Sequence, residues 1–436
     1  MLRIINQLTD AQVELQRICN RTHDDQIFHK EATVREILQT VKRKGDEAVL
    51  QYTADFDKQV LTADSLRVRG SEIDAAYQQV SKELIDAIRL AHQNIDAFHR
   101  QRIPNSWVNF QGEVVLGKRY SPVDRAGIYI PGGQAAYPSS VLMNAVPAKV
   151  AGVKRIVMVT PPGKGGLLNP AVLVAAQEAG VSEIYRVGGA QAIGALAYGT
   201  ETIPAVDVIT GPGNIYVTLA KKQVFGTVGI DSLAGPSEVL IIADRTANPV
   251  FLAADLLAQA EHDSMAAAIL ITTHLPLAEQ VATEVAQQLQ GHSRQTLTEK
   301  AIANYGVAIV VDTLETAAIL SNEFAPEHLE LEVEDPWGLL EQISHAGAIF
   351  LGHSTPEAVG DYLAGPNHTL PTSGTARYAS ALSTETFLKH SSLIQYSPTA
   401  LNQVAGAIAR LTEAEGLPSH GDSVKLRTQP KNRSSS

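Results

Sequence analysis

The sequence predicts an α/β protein: two parallel-sheet domains, preceded by an N-terminal helical segment and followed by a C-terminal helical tail. Three observations lead there. Apolar residues make up 44% and charged residues 19% of 436 residues, enough to build a sizeable core. From about Glu113 short apolar runs alternate with amphipathic segments, the rhythm of right-handed βαβ units. That rhythm breaks near Gly229–Gly235 and then resumes, so two similar blocks should face each other across a cleft. The expected segments are 1–112 (helical), 113–235 (first α/β block), 236–375 (second), 376–430 (tail) and 431–436 (a disordered end).

The elements follow in order. Val34, Ile37, Leu38 and Val41 fall at i, i+3, i+4 and i+7. Leu84, Ile88, Ala91, Ile95 and Phe98 form a second stripe behind Ser81, an N-cap type. Such stripes pack against a core and carry no chemistry. In the first block, strands are expected at Arg155–Thr160, Glu183–Val187 and Val206–Thr210. Helices are expected around Pro138–Ala151, Pro170–Ala179, Ala190–Tyr198 and Asn214–Phe225. The second block offers strands at Val239–Ala243, Ala267–Thr272, Val307–Val311, Leu329–Val333 and Ala348–Leu351. Helices Pro249–Glu261, Pro276–Gln288 and Leu314–Glu323 intervene. Ser397-Pro398 supplies an N-cap and an N1 proline for a helix with Leu401, Val404, Ile408 and Leu411 on one face. From Ser419 the apolar content is too low to pack alone, so an extended arm is expected.

Composition excludes several functions. The formal charge is −11, with 35 basic against 46 acidic residues, and binding of nucleic acid or an acidic membrane needs a basic surface. Cys19 is the single cysteine, so an intrachain disulfide and a thiolate metal site are both ruled out. The opening MLRIINQLTDAQVELQ has neither the basic-then-apolar pattern of a secretion signal nor the character of a transit peptide. A charge-free stretch from Ala126 to Ala148 contains Pro131, Pro138 and Pro147, which marks it as a loop and helix rather than a membrane span. A cytoplasmic protein is expected.

Nine of the thirteen histidines lie from His262 to His420 and none between 100 and 261, so a histidine-dependent site belongs to the second block and the tail. Glu327-His328 follows Pro326, a turn at the mouth of the strand Leu329–Val333 where both side chains could reach one cleft. A carboxylate beside an imidazole is an acid/base pair for neutral pH; a solvated loop pair is the bland alternative. Gln259 and His262, at i and i+3 on a helix, share a face with Cβ atoms about 5–6 Å apart. His262, Asp361 and a further histidine would make an N/O metal site, against the alternative that His262 is a helix-end surface residue. Glycine-rich runs GIYIPGG (Gly127–Gly133), VGGAQAIGA (Val187–Ala195), GPGN (Gly211–Asn214) and AGPSE (Ala234–Glu238) suit anion binding or plain turns. None is a G-x-G-x-x-G fingerprint.

Together the segments closely resemble the histidinol dehydrogenase family, in order and across essentially the whole chain. The resemblance rests on GIYIPGGQAAYPSSVLMNAVPAKVAGV, VGGAQAIGALAYGT, GPGNIYV, IDSLAGPSEVLIIAD, DLLAQAEHD, FAPEHLEL, GPNHTLPTSGTARY and EGLPSHGDSV. It implies two incomplete Rossmann-like parallel-sheet domains and a C-terminal tail exchanged in a homodimer with shared active sites. It implies oxidation of L-histidinol to L-histidine via L-histidinal, with two NAD+ and one Zn2+ per subunit. Carried over motif by motif, the metal ligands would be Gln259, His262, Asp361 and a partner-derived His420. His328 would be the general base, and Glu327 would activate the water that attacks histidinal. Substrate would also touch Ser237, His368 and Glu415, and NAD would touch Tyr129, Gln191 and Asn214. Two readings compete: a metal-dependent hydrolase of a small amine substrate with Glu327 as base, and a two-domain solute-binding protein.

Overall fold

Aliphatic runs such as Arg155–Thr160 and Ala267–Thr272 become the central strands of two parallel sheets, and their flanking helices cover both faces. The computed structural model describes residues 2–21, 27–132 and 136–429. Gly133, which ends the GIYIPGG run, and the expected disordered end 431–436 lie outside the described residues.

The strands run in chain order. The first four are β1 (Arg3–Ile5), β2 (Trp107–Gln111), β3 (Val114–Pro122) and β4 (Arg125–Tyr129). Next come β5 (Arg155–Thr160), β6 (Glu183–Arg186), β7 (Val208–Thr210), β8 (Gly229–Ile230) and β9 (Glu238–Ala243). The last five are β10 (Ala267–Thr272), β11 (Gly306–Val310), β12 (His328–Glu332), β13 (Ala348–Leu351) and β14 (Leu388–Tyr396). One unit comprises Met1–Gln101 with Val123–Phe387, and a second comprises Arg102–Pro122 with Leu388–Ser436.

In the first unit, β6-β5-β4-β7-β8 form a five-stranded sheet and β1-β11-β10-β9-β12-β13 a six-stranded one. All their pairings are parallel. Apart from β1, both sheets use one order: the block's first strand is central, the next two lie on one side and the last two on the other. Each sheet therefore has a switch point where the winding reverses, between β4 and β7 and between β9 and β12.

The expected strands from Arg155 to Leu351 are present, with ends shifted by at most two residues. Helix Ile27–Lys44 buries Val34, Ile37, Leu38 and Val41, its expected stripe, in the core shared with helix Gly189–Tyr198. Gly194 makes this approach possible, because a Cβ there would stand 3.1 Å from Leu38. The six-stranded sheet carries helices Pro249–Ala260, Leu275–Gln288 and Gln295–Tyr305 on one face. Leu8–Cys19 and Leu314–Phe324 cover the other.

Three expectations are corrected. The N-terminal segment is not purely helical: Arg3–Ile5 extends the six-stranded sheet beside β11, and Trp107–Gln111 pairs antiparallel with β3. The expected boundary at 112/113 falls in the turn of that hairpin. The tail is not purely helical either, since Leu388–Tyr396 is the third strand of the same antiparallel sheet. And from Ser419 the chain is not an extended arm but part of helix Pro418–Thr428, with proline at N1, where its missing N–H costs nothing. Short edge strands of three to nine residues are set by their partners' ladders, not by their own periodicity.

The second helical stripe also shifts. In helix Lys82–Arg100, capped by Ser81 Oγ accepting from Leu84 N at 3.2 Å, the buried residues are Ile88, Ala91, Ile95 and His99. Leu84 and Phe98 are exposed. The turn of 3.6 residues carries the buried face onto His99, whose Nε2 has no partner. Burial drives the His99 pKa down to about 4, with Asp96 opposing. The folded protein therefore keeps the ring neutral where the unfolded chain, near pKa ~6.5, takes up a proton. The contribution is intact above pH ~6.5 and is lost as pH falls towards about 4. We predict that His99→Gln removes up to about 3 kcal/mol of the stability loss between those pH values. Urea unfolding of both proteins across that window checks it; identical pH slopes would refute it.

Candidate active site

Three loops leave the carboxyl ends of β4, β6 and β7, on either side of the first sheet's switch point. Tyr129 ends β4, and its hydroxyl accepts from Gly189 N at 3.2 Å. Gln191, in the first turn of helix Gly189–Tyr198, is buried with neither side-chain polar atom partnered. A buried amide without a hydrogen-bonding partner is costly, and among the described residues this one has none. The Asn214 side chain caps helix Ile215–Val224, accepting from Tyr216 N at 3.0 Å and Val217 N at 3.2 Å. Just before it, Gly211 has φ +110°, and a Cβ there would lie 2.1 Å from Tyr129 O. The Gly211 carbonyl accepts from Lys221 Nζ at 3.0 Å and its N–H donates to Asp231 Oδ2 at 2.8 Å. Lys221 and Asp231 form a buried ion pair, so this glycine turn is braced from beneath. Glycine-lined backbone and an unpaired buried amide at helix N-termini fit a dinucleotide's phosphates and polar groups.

The second sheet contributes its opposite edge. Ligand sites are expected at strand carboxyl ends, yet Glu327 and His328 stand at the amino end of β12, beside the amino end of β9. Glu238, the first residue of β9, holds both. Its N–H donates to Glu327 Oε2 at 2.9 Å, and its carbonyl accepts from His328 Nδ1 at 3.0 Å. A carbonyl can only accept, so Nδ1 carries a proton, and Nε2 is the position at which the ring gains or loses its second one. That Nε2 is buried and has no hydrogen-bond partner among the described residues; Asp361 Oδ1 lies 3.8 Å away. The acid/base reading of this pair thus gains a shared scaffold, and the solvated-loop alternative fails because both residues are buried.

His262 and Asp361, from distant segments, do come together. With Glu357 they offer ligand atoms within 4.8 Å of one another. His262 sits just past the end of helix Pro249–Ala260, its N–H on Gln259 O at 3.2 Å. Gln259, fully buried in the last turn, confronts Glu357. With the amide nitrogen towards Glu357 it donates to both carboxylate oxygens, at 2.5 and 2.8 Å, and its oxygen accepts from Glu238 N at 2.8 Å. With the oxygen towards Glu357, oxygen faces oxygen and the amide nitrogen faces Glu238 N; a cation, or a proton on Glu357, relieves the first of these contacts. One imidazole, an amide and carboxylates make an N/O donor set of the kind zinc, manganese and cobalt accept. Glu357 is the residue sequence reasoning missed. Its signal was its spacing, four residues before Asp361 on one short helix, Glu357–Tyr362.

His368 completes the cluster: Nδ1 lies 3.1 Å from Asp361 O and Nε2 3.4 Å from Ser140 Oγ. Ser140 belongs to helix Pro138–Ala151 behind β4, so this edge of the second sheet meets the carboxyl edge of the first. Ser237 immediately precedes Glu238. Glu415 and His420 belong to the second unit: Glu415 caps helix Pro398–Ala414, and His420 is an exposed residue of helix Pro418–Thr428.

The electrostatics are dominated by burial. Burial opposes a charge on His328, yet Glu357, Glu327 and Asp361 hold its pKa well above the usual histidine range. Burial pushes Glu327 up to about 8 against the pull of His328, and Glu357 up to about 7. Asp361 stays below its usual range: burial raises it, but the His328, His368 and His262 rings outweigh that. Such an excess of buried carboxylate is what a bound cation would relieve.

Comparison with known proteins identifies the family. The histidinol dehydrogenase family model matches residues 20–428. A histidinol dehydrogenase of Trichormus variabilis is 74% identical over 430 residues, covering 98% of this chain and 99% of its own. One from Synechococcus is 72% identical over 435 residues, covering 99% and 100%. The crystal structure of histidinol dehydrogenase from Elizabethkingia anophelis superposes with a TM-score of 0.90 at 40% identity, covering 98% and 97%. The chain therefore belongs to the histidinol dehydrogenase family.

Proposed function

We propose that this protein oxidises L-histidinol to L-histidine through L-histidinal, using two NAD+ and one Zn2+ per subunit, in the cytoplasm as the last steps of histidine biosynthesis. The observation that carries the chemistry is the His328 imidazole, fixed through Nδ1 at 3.0 Å from Glu238 O with Nε2 left bare. His328 Nε2 takes the alcohol proton as hydride leaves the carbinol carbon, because hydride departs only as the C–O bond gains double-bond character. NAD+ supplies the hydride acceptor, at the loops bearing Tyr129, Gln191 and Asn214. Glu327, one oxygen tied to Glu238 N, takes a proton from the water that adds to the aldehyde, and His328 takes the hydrate's proton in the second oxidation. Gln259, His262 and Asp361, with His420 of the partner subunit, would hold the zinc, which would supply an electrophilic anchor for the substrate. Ser237, His368 and Glu415 contact the substrate, and Glu357 orients Gln259.

Among the described residues no helix is long and apolar enough to cross a membrane. Family membership and the glycine-lined loops bearing Tyr129, Gln191 and Asn214 support this reading over a hydrolase, which would use the same N/O donor set but need no dinucleotide loops.

Three outcomes are expected. Metal-loaded protein given histidinol and excess NAD+ yields about two NADH per substrate, and a chelator abolishes the yield; no NADH at all would end the proposal. Glu327→Gln slows the aldehyde-to-acid half while histidinol binding persists, measured by supplying histidinal directly; a pure binding defect would misassign Glu327. Mixing inactive His262→Asn and His420→Asn chains restores about a quarter of parental activity, since half the random dimers are mixed and each holds one intact site. No recovery after demonstrated subunit exchange would place His420 in its own chain's site.

A further inference from the structure

The N-terminal stretch expected only to pack against the core also holds a buried arginine. Arg21 follows helix Leu8–Cys19, and its guanidinium is almost wholly buried, with 1% of the side chain exposed. All five of its N–H groups are used. Nε donates to Met265 O at 2.7 Å. Nη1 donates to Ile18 O at 2.8 Å and Glu238 Oε1 at 3.0 Å. Nη2 donates to Pro236 O at 2.9 Å and, more weakly, Ser237 O at 3.4 Å. Three of these bonds therefore go to three successive residues, Pro236, Ser237 and Glu238.

That turn is the scaffold of the reaction. Glu238 presents its N–H to Glu327 and its carbonyl to His328. Its side chain, fully buried, is gripped by Arg21 on one oxygen, which also accepts from Ser373 N at 3.2 Å. We propose that Arg21 is a positioning residue of the active site: it fixes the Pro236–Glu238 turn from behind, and the turn in turn fixes Glu327 and the protonated Nδ1 of His328. The inference rests on the proposed dehydrogenase function. A buried ion pair is a poor source of stability compared with apolar packing, and five directed bonds give geometry instead. Lysine cannot replace it, having three donors at one point rather than a planar fork. A displacement of about 1 Å in a reacting group costs about a hundredfold in rate.

The test is Arg21→Lys in the full-length, metal-loaded protein, with kcat, KM for histidinol, metal content and the downfield Nδ1–H proton signal of His328 all recorded. The expected result is a fall in kcat of at least about tenfold, KM within about threefold, unchanged metal content and a lost or shifted Nδ1–H signal. A parental kcat with a parental signal overturns the proposal. So does a general loss of metal, substrate affinity and turnover together, which a merely structural role would produce. If Arg21→Lys does not fold, Arg21→Met with Glu238→Gln removes the stranded charge: low kcat in that pair supports the brace, parental kcat overturns it. If the parent itself makes no NADH, the functional reading fails, and the Nδ1–H signal alone decides the brace.

Discussion

Two peptide groups of one residue hold the centre of the candidate site in place. The N–H and C=O of Glu238 are directed at a carboxylate and an imidazole that are neighbours in sequence but would diverge along a regular strand. They converge because His328 begins β12 directly beside β9, in register with Val239, while Glu327 lies one residue outside the ladder. The backbone ladder thus sets the spacing between the two proposed catalytic groups, and side-chain packing only refines it. A carbonyl partner also decides the imidazole tautomer, a choice that a hydroxyl partner would leave open.

Around that clamp the protein concentrates charge that it does not balance. Glu327 and Glu357 are buried near the His328 imidazole, with half-buried Asp361 beside them. In a cation-free state their mutual repulsion and desolvation keep some of them protonated. Such a cluster works against folding stability and favours cation binding, a trade that a site built for function makes and a core built for stability avoids. The buried ion pairs Arg21–Glu238 and Lys221–Asp231 stand one layer behind. Each braces a loop whose backbone faces the site, AGPSE in one case and GPGN in the other.

The two sheets share a winding order but not a way of using it. The first presents the carboxyl ends of its strands, where glycine turns and helix N-termini are available. The second presents the amino ends of β9 and β12, and its own carboxyl-end switch point is closed by Asp244, which accepts from Glu334 N at 2.9 Å. Rules drawn from single sheets locate the first half of the site and misplace the second. The contact of His368 with Ser140 marks where the halves meet.

The strands and helices between Arg155 and Leu351 were legible because aliphatic runs and helical stripes report burial directly, and burial is local. His262, Asp361, Glu327 and His328 were legible as residue types suited to chemistry, since few side chains bind metals or move protons near neutral pH. The family likeness supplied Gln259, which no pattern of charge or periodicity distinguishes. Glu357 and Arg21 escaped for one reason: an acid opening a short helix and an arginine after a helix look like solvated surface until the chain brings their partners to them. Composition and periodicity depend on neighbours along the chain, so the sequence determined the fold class and the inventory of reactive groups. Which carbonyl holds His328, which oxygen faces Gln259 and which arginine backs the turn depend on contacts across as many as 217 residues. Only the tertiary structure decides those.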